Sequence, residues 1–122
     1  MIKFVIFFLP FRLLFAQDEG MSAFKKRDYK KSYDYYLKVL SGRKDDISAK
    51  YGAGISAFKN QEIETGKDFL IEVSNSENDF LASKAHYNLA NIYKDEDKLE
   101  ESIYHYKKAM QLNALDDEAR IN

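Results

Sequence analysis

The 122-residue chain has no cysteine and no tryptophan, a single proline and only five glycines. Without cysteine there is no disulfide framework, no thiolate nucleophile and no Cys-type zinc or iron–sulfur site. So little proline and glycine argues against an all-β domain built on many tight turns. Charge of one sign is lacking too: 19 Lys and Arg stand against 20 Asp and Glu, a formal net charge of -1. No global basic field exists to hold nucleic acid. What the chain does have is one domain's length, enough for a continuous core if little is lost to loops.

Its composition is uneven. Phe4, Phe7, Phe8, Phe11, Phe15 and the only proline, Pro10, all lie within the first fifteen residues. Residues 1–16 carry Lys3 and Arg12 and no acid, which leaves a net charge of -3 on the rest. Met1-Ile2-Lys3, the apolar run Phe4 to Ala16 and the polar Gln17-Asp18-Glu19 have the layout of a secretory signal peptide. As a helix that run rises roughly 20 Å, short of the ~30 Å hydrocarbon core, so a stable span is disfavoured. Arg12 interrupts the run, and Leu14 is a mediocre residue three positions before the cut. Export with cleavage near Ala16 is the expectation; an uncleaved anchor or a buried first helix are the alternatives. A lipoprotein anchor is excluded, because there is no cysteine to lipidate.

Beyond the leader the chain repeats itself. Gly20, Gly54 and Ala90 fall at successive spacings of 34 and 36 residues, as do Ser32, Gly66 and Ser102, and Tyr36, Leu70 and Tyr106. The first two columns are small, which lets antiparallel helices approach to the lower end of the usual ~8–10 Å separation. The third column supplies the large side chain beside that approach. Tyr29, Ile63 and Leu99 open each second helix and are expected to close over the turn. The periodicity gives helices at about 18–26, 29–41, 46–60, 62–74, 79–95 and 98–112, with another starting near 116. Asp28, Asp46, Asp79, Asp97 and Asp116 precede or open these stretches as candidate caps, and Ser41-Gly42 ends one. No period-two strand signal competes.

These columns resemble the tetratricopeptide repeat (TPR), a helix–turn–helix unit of 34 residues. The copy from Ser83 to Asp116 is the most similar, with Leu89-Ala90, Tyr93, Ser102, Tyr106 and Ala109 on the family's signature positions. His86 departs from the usual bulky aromatic there, Ala114 from the usual proline, and Ala57 from a common aromatic in the looser second copy. The resemblance implies an all-α fold, a right-handed superhelical array of antiparallel helix pairs. It divides the chain into a leader at 1–16 and repeats at about 17–46, 47–82 and 83–116, with a further helix beginning at 117–122. Ala119-Arg120-Ile121-Asn122 parallels Ala85-His86-Tyr87-Asn88, so either a further repeat is cut short or the end face is covered by a partner or a second copy.

In such arrays the first helix of each pair lines a concave groove where peptide or helix segments of partner proteins bind. The register then places Met21, Phe24, Lys25, Tyr51, Ile55, Phe58, Lys59, Lys84, Tyr87, Asn88, Asn91 and Lys94 in the groove. Aromatics beside Lys and Asn suit a peptide with apolar anchors and an acidic or carboxylate-bearing end. Phe24, Ile55 and Phe58 have the alternative of packing between repeats. Asn88, Asn91 and Lys84 are similar to part of the carboxylate clamp of chaperone-binding TPR domains, but the matching basic positions of the first two repeats are missing.

No catalytic, cofactor or metal site emerges. His86 and His105 lie on different helices with no i,i+4 partner. Asp95-Glu96-Asp97 begins like a calcium loop, but Glu100 stands where glycine is needed, which leaves a solvated turn. Lys25-Lys26-Arg27 with Lys30-Lys31 is a basic cluster that either touches an anionic partner or is a solvated helix face.

The reading is a non-enzymatic scaffold that holds another protein. Its tyrosine-rich repeats and the stretch from Tyr104-His105-Tyr106-Lys107-Lys108-Ala109 to Asp116-Asp117-Glu118-Ala119-Arg120 resemble small TPR proteins of bacterial aerotolerance (Bat-type) operons. That resemblance implies a periplasmic or cell-envelope protein acting in complex assembly or stress tolerance. The rival reading is a regulatory or recruiting module for an envelope enzyme or a secretion machine.

Overall fold

The computed structural model describes residues 19–121, with side chains to residue 114. The leader expected over 1–16 lies outside the described residues. Six helices follow one another: α1 (Glu19–Lys25), α2 (Tyr29–Gly42), α3 (Ile47–Lys59), α4 (Ile63–Ser74), α5 (Asp79–Asp95) and α6 (Leu99–Ile121). Among the described residues there is no strand, and no helix is long and apolar enough to cross a membrane.

The helices pair as antiparallel hairpins, and the small-residue columns are where they meet. Ser32 Oγ donates to the Gly20 carbonyl at 2.8 Å, and Ser102 Oγ donates to the Ala90 carbonyl at 2.9 Å. Each serine thus satisfies its own buried hydroxyl while the two backbones stay close. The middle hairpin does without the hydroxyl: a Cβ on Gly66 would sit 2.8 Å from Phe58 N and 2.9 Å from the Gly54 carbonyl oxygen. Tyr36 fills the space beside the first approach, its ring against Gly20 of α1 and Gly52 of α3. Leu70 does the same against Gly54 and is fully buried.

Each hairpin turns through a residue in the left-handed region, Arg27 (φ 61°), Gln61 (φ 69°) and Asp97 (φ 58°). The next backbone N–H then reaches back five residues: Asp28 to Ala23, Glu62 to Ala57 and Lys98 to Tyr93, at 2.8–2.9 Å. This ties off carbonyls that the helix end would leave open. Caps at the other ends follow the sequence in part. Asp28 and Asp46 accept from Lys31 N and Ala49 N. At α5, however, Asn78 rather than Asp79 is the cap, accepting from Leu81 N; Asp79 is the first helical residue.

Two further expectations are corrected. Leu99 opens α6 but remains 62% exposed, so it does not close over its turn as Tyr29 does against Phe24. And α6 runs unbroken through 113–116 to Ile121, so Asp116 is interior to it and no separate helix begins there. Ala114 is a strong helix former at the place where a proline would have stopped the helix.

Neighbouring hairpins stack. The main core cluster, Leu70 and Val73 of α4 with Ala85, Leu89 and Ile92 of α5, seals the second pair to the third. The first helices of successive pairs touch one another, α1 with α3 and α3 with α5, whereas the second helices do not. A stack closed along one line and open along the other curves toward the closed side. The first helices therefore line the inside of the curve.

Candidate functional site: the first-helix cleft

The inner face carries an open cleft of about 650 Å³, bounded by Tyr51 of α3, by Ser83, Lys84, Tyr87 and Asn88 of α5, and by Tyr106, Ala109, Met110 and Asn113 of α6. Its polar side chains are held in place from below. Asn88 Nδ2 donates to Tyr51 Oη at 3.2 Å and to the Lys84 carbonyl at 2.9 Å, bridging two repeats. Ser83 Oγ donates to the Ala109 carbonyl at 2.8 Å. Tyr106 Oη donates to Asn91, and its ring meets Tyr87 edge-on at 5.8 Å between centroids. Burial raises the Tyr51 phenol above its ordinary value, and the Asn88 bond only partly opposes this. Tyr51 therefore stays neutral at physiological pH, a fixed hydrogen-bonding rim rather than a charge.

No acid is among the described residues that line the cleft. The first helices carry acids only at their termini, Glu19, Asp79 and Asp95, whereas Lys50, Lys59 and Lys84 stand within them or near their ends. A second, more polar hollow of about 510 Å³ adjoins the first and shares Tyr51 and Lys84 with it. Met21, Tyr35, Tyr36 and Arg43 are among its other walls. Lys84 stands over the Phe80 ring at 4.7 Å, a cation–π contact that steers its ammonium along the rim.

The twelve residues expected in the groove divide into groups. Tyr51, Lys84, Tyr87 and Asn88 come together around the cleft, and Met21 joins the adjoining hollow. Ile55 and Phe58 pack against the core cluster instead. Phe24 meets Tyr29 edge-on at 5.2 Å at the first turn. Asn91 is held by Tyr106 beneath the surface rather than lining the cleft. Lys25, Lys59 and Lys94 lie exposed in the last turns of α1, α3 and α5, where a cation complements the helix dipole. Neither hollow includes them.

Sequence reasoning missed the far wall, Tyr106, Met110 and Asn113. They stand at spacings of four and three on α6, a second helix, and attention to first helices alone hides them. It also missed two polar clusters outside the cleft. His86 Nδ1 and His105 Nδ1 lie 2.8 Å apart, with His105 stacked on Tyr93 at 5.3 Å. Burial lowers both rings below the ordinary histidine value; Lys108 adds to this at His86, and His86 adds to it at His105. Nearby, Lys67 of α4 pairs with Glu96 in the α5–α6 turn and stands 4.9 Å over the Tyr93 ring. Among the described residues no group of three His, Cys, Asp or Glu side chains is arranged to hold a metal ion.

Comparison with known proteins agrees with this architecture. The tetratricopeptide repeat family model matches residues 83–114, the third hairpin. A solved structure of the MamA RS-1 ArsTM double mutant, itself a TPR fold, superposes with a TM-score of 0.72 at 20% identity. The superposition covers 84% of this chain and 56% of that one, so the chain spans little more than half the length of that structure. No curated protein matches. With an all-helical array of stacked hairpins and a family match in the third of them, the chain has a TPR-like helical-repeat fold and carries a tetratricopeptide repeat at residues 83–114.

Proposed function

We propose that the protein acts by holding an extended or helical segment of a partner protein in the cleft between Tyr51, Tyr87 and Tyr106, in the bacterial envelope. The observation that carries this reading is the composition of that cleft. Three tyrosine rings offer broad apolar faces with little side-chain entropy to lose, Asn88 and Asn113 offer amides, and none of the described lining residues is a carboxylate. A guest with an aliphatic or aromatic anchor and acidic neighbours fits those walls, with Lys84 beside it. The envelope location rests on the leader-like residues 1–16, whose apolar run and polar exit suit export.

Capture experiments comparing the wild type with Tyr51→Ala/Tyr87→Ala test the groove. The double variant loses the specific partner and keeps its helical circular dichroism. Equal capture by both proteins refutes recognition through this cleft. N-terminal sequencing of the protein from fractionated cells tests location, with a cytosolic chain beginning at Met1 as the refuting result.

A further inference from the structure

The exposed apolar side chains of this protein concentrate on α6. Leu99, Ile103 and Met110 are 62%, 54% and 67% exposed, the last the highest value of any large hydrophobic residue described. With Tyr106 they occur at steps of four, three and four, which places all of them along one stripe of the helix. Leu99, Ile103 and Met110 lie beside the buried Ser102 and Ala109 seam that α6 presents to α5, and Tyr106 stands at its edge, half-buried against Tyr87 and bonded to Asn91. At 23 residues α6 is also far longer than α2 or α4, with 14 and 12.

We propose that this stripe pairs antiparallel with the same stripe of a second copy of the chain. The pattern is self-complementary in the antiparallel direction. An antiparallel partner centred between Tyr104 and His105 sets Leu99 opposite Met110 of the other copy, and Ile103 opposite Tyr106. These are the mixed layers that antiparallel helix pairs form. On the flank of the stripe stand Glu100 and Lys107, both exposed and neither in an ion pair among the described residues. In that register Glu100 of one copy lies within about 3 Å along the axis of Lys107 of the other. The two-fold axis makes the contact twice. Occupation by a second copy thus rests on this charge pairing as well as on the apolar pattern.

Sedimentation equilibrium of the purified full chain tests this. The wild type forms dimers. Glu100→Lys and Lys107→Glu each weaken association by about tenfold or more, and the double charge swap restores it. Ile103→Ser weakens association whatever the charge arrangement. All four variants alter exposed residues, so unchanged helical circular dichroism separates dissociation from unfolding. A monomeric wild type overturns the proposal and assigns the stripe to a different partner. A dimer indifferent to Ile103→Ser and to the single charge reversals also overturns it, as does a double swap that fails to rescue. Tyr106 and Met110 also wall the cleft, so a second copy and a peptide guest compete for that wall. The readout is association of the chain alone, so its failure is distinct from failure of the cleft reading.

Discussion

Lys67 Nζ lies 2.9 Å from Oε1 and 3.1 Å from Oε2 of Glu96, joining α4 to the turn that connects α5 and α6. The pair is asymmetric, since the lysine side chain is 9% exposed and the glutamate 28%. Burial depresses the Lys67 ammonium, but Glu96 outweighs that and holds it above the ordinary lysine value. The Lys67 bond draws Glu96 below its own, with Lys98 assisting.

Removing the carboxylate should therefore do more damage than removing the ammonium. Glu96→Gln strands a buried charge beside the distant Glu64, at 3.7 Å, and is expected to cost about 1–3 kcal/mol. Lys67→Met leaves Glu96 with Lys98 at 3.2 Å and with water, and is expected to cost less. Urea denaturation midpoints of the two variants check the order, and the reverse order would discard the account.

The histidine pair predicts a pH dependence. Only one proton fits between two Nδ1 atoms at 2.8 Å, and the surroundings supply Tyr93, Tyr104, Lys108 and the Ser74 backbone. No carboxylate is among the groups that shift either ring. Both folded values lie below the ordinary 6.5. The unfolded chain therefore binds protons first as pH falls through 6.5, and the fold loses stability from there down to the lowered folded values. The slope is at most about 1.4 kcal/mol per pH unit for each ring. Thermal midpoints between about pH 7.5 and about pH 5.5 should fall in the wild type and fall less in His105→Gln. A wild-type midpoint that rises on acidification contradicts the sign.

Two glycines make opposite predictions for the same substitution. A methyl on Gly42, at the end of α2, meets nothing within 4 Å, so Gly42→Ala should stabilise by about 0.4–1 kcal/mol through the unfolded chain. On Gly66 the methyl strikes backbone atoms of α3, and Gly66→Ala should destabilise by about 1–3 kcal/mol as the hairpin opens. Denaturation of both variants in parallel checks this, and a stabilised Gly66→Ala would mean the helices are not in close approach there.

The array was legible because its closest contacts demand small residues at a fixed interval, and Gly20, Ser32, Gly54, Gly66, Ala90 and Ser102 display that interval. The turns were less so. Arg27, Gln61 and Asp97 occupy a left-handed conformation usually marked by glycine or asparagine, and none of the three is either. The histidine pair escaped notice because nineteen residues separate its members. Yet the same register reveals it: four residues back from Ala90 and three forward from Ser102 lie His86 and His105. Half of the cleft was hidden for a related reason. The first helices announce themselves by family position, whereas Tyr106, Met110 and Asn113 reach the cleft from α6 only once the hairpin has closed. The unbroken α6 turned on Ala114, whose lack of a helix-stopping ring outweighed the capping chemistry of Asp116.

The second helices of neighbouring pairs meet no counterpart across the stack. Neighbouring pairs are therefore held by the inner spine, where the Asn88–Tyr51 bridge and the packed alanines sit, and by the core between α4 and α5, while the outer line of second helices stays open. Mechanically the molecule is a fan bound along its spine and open between its outermost ribs, so a change of curvature is taken up at that outer edge first.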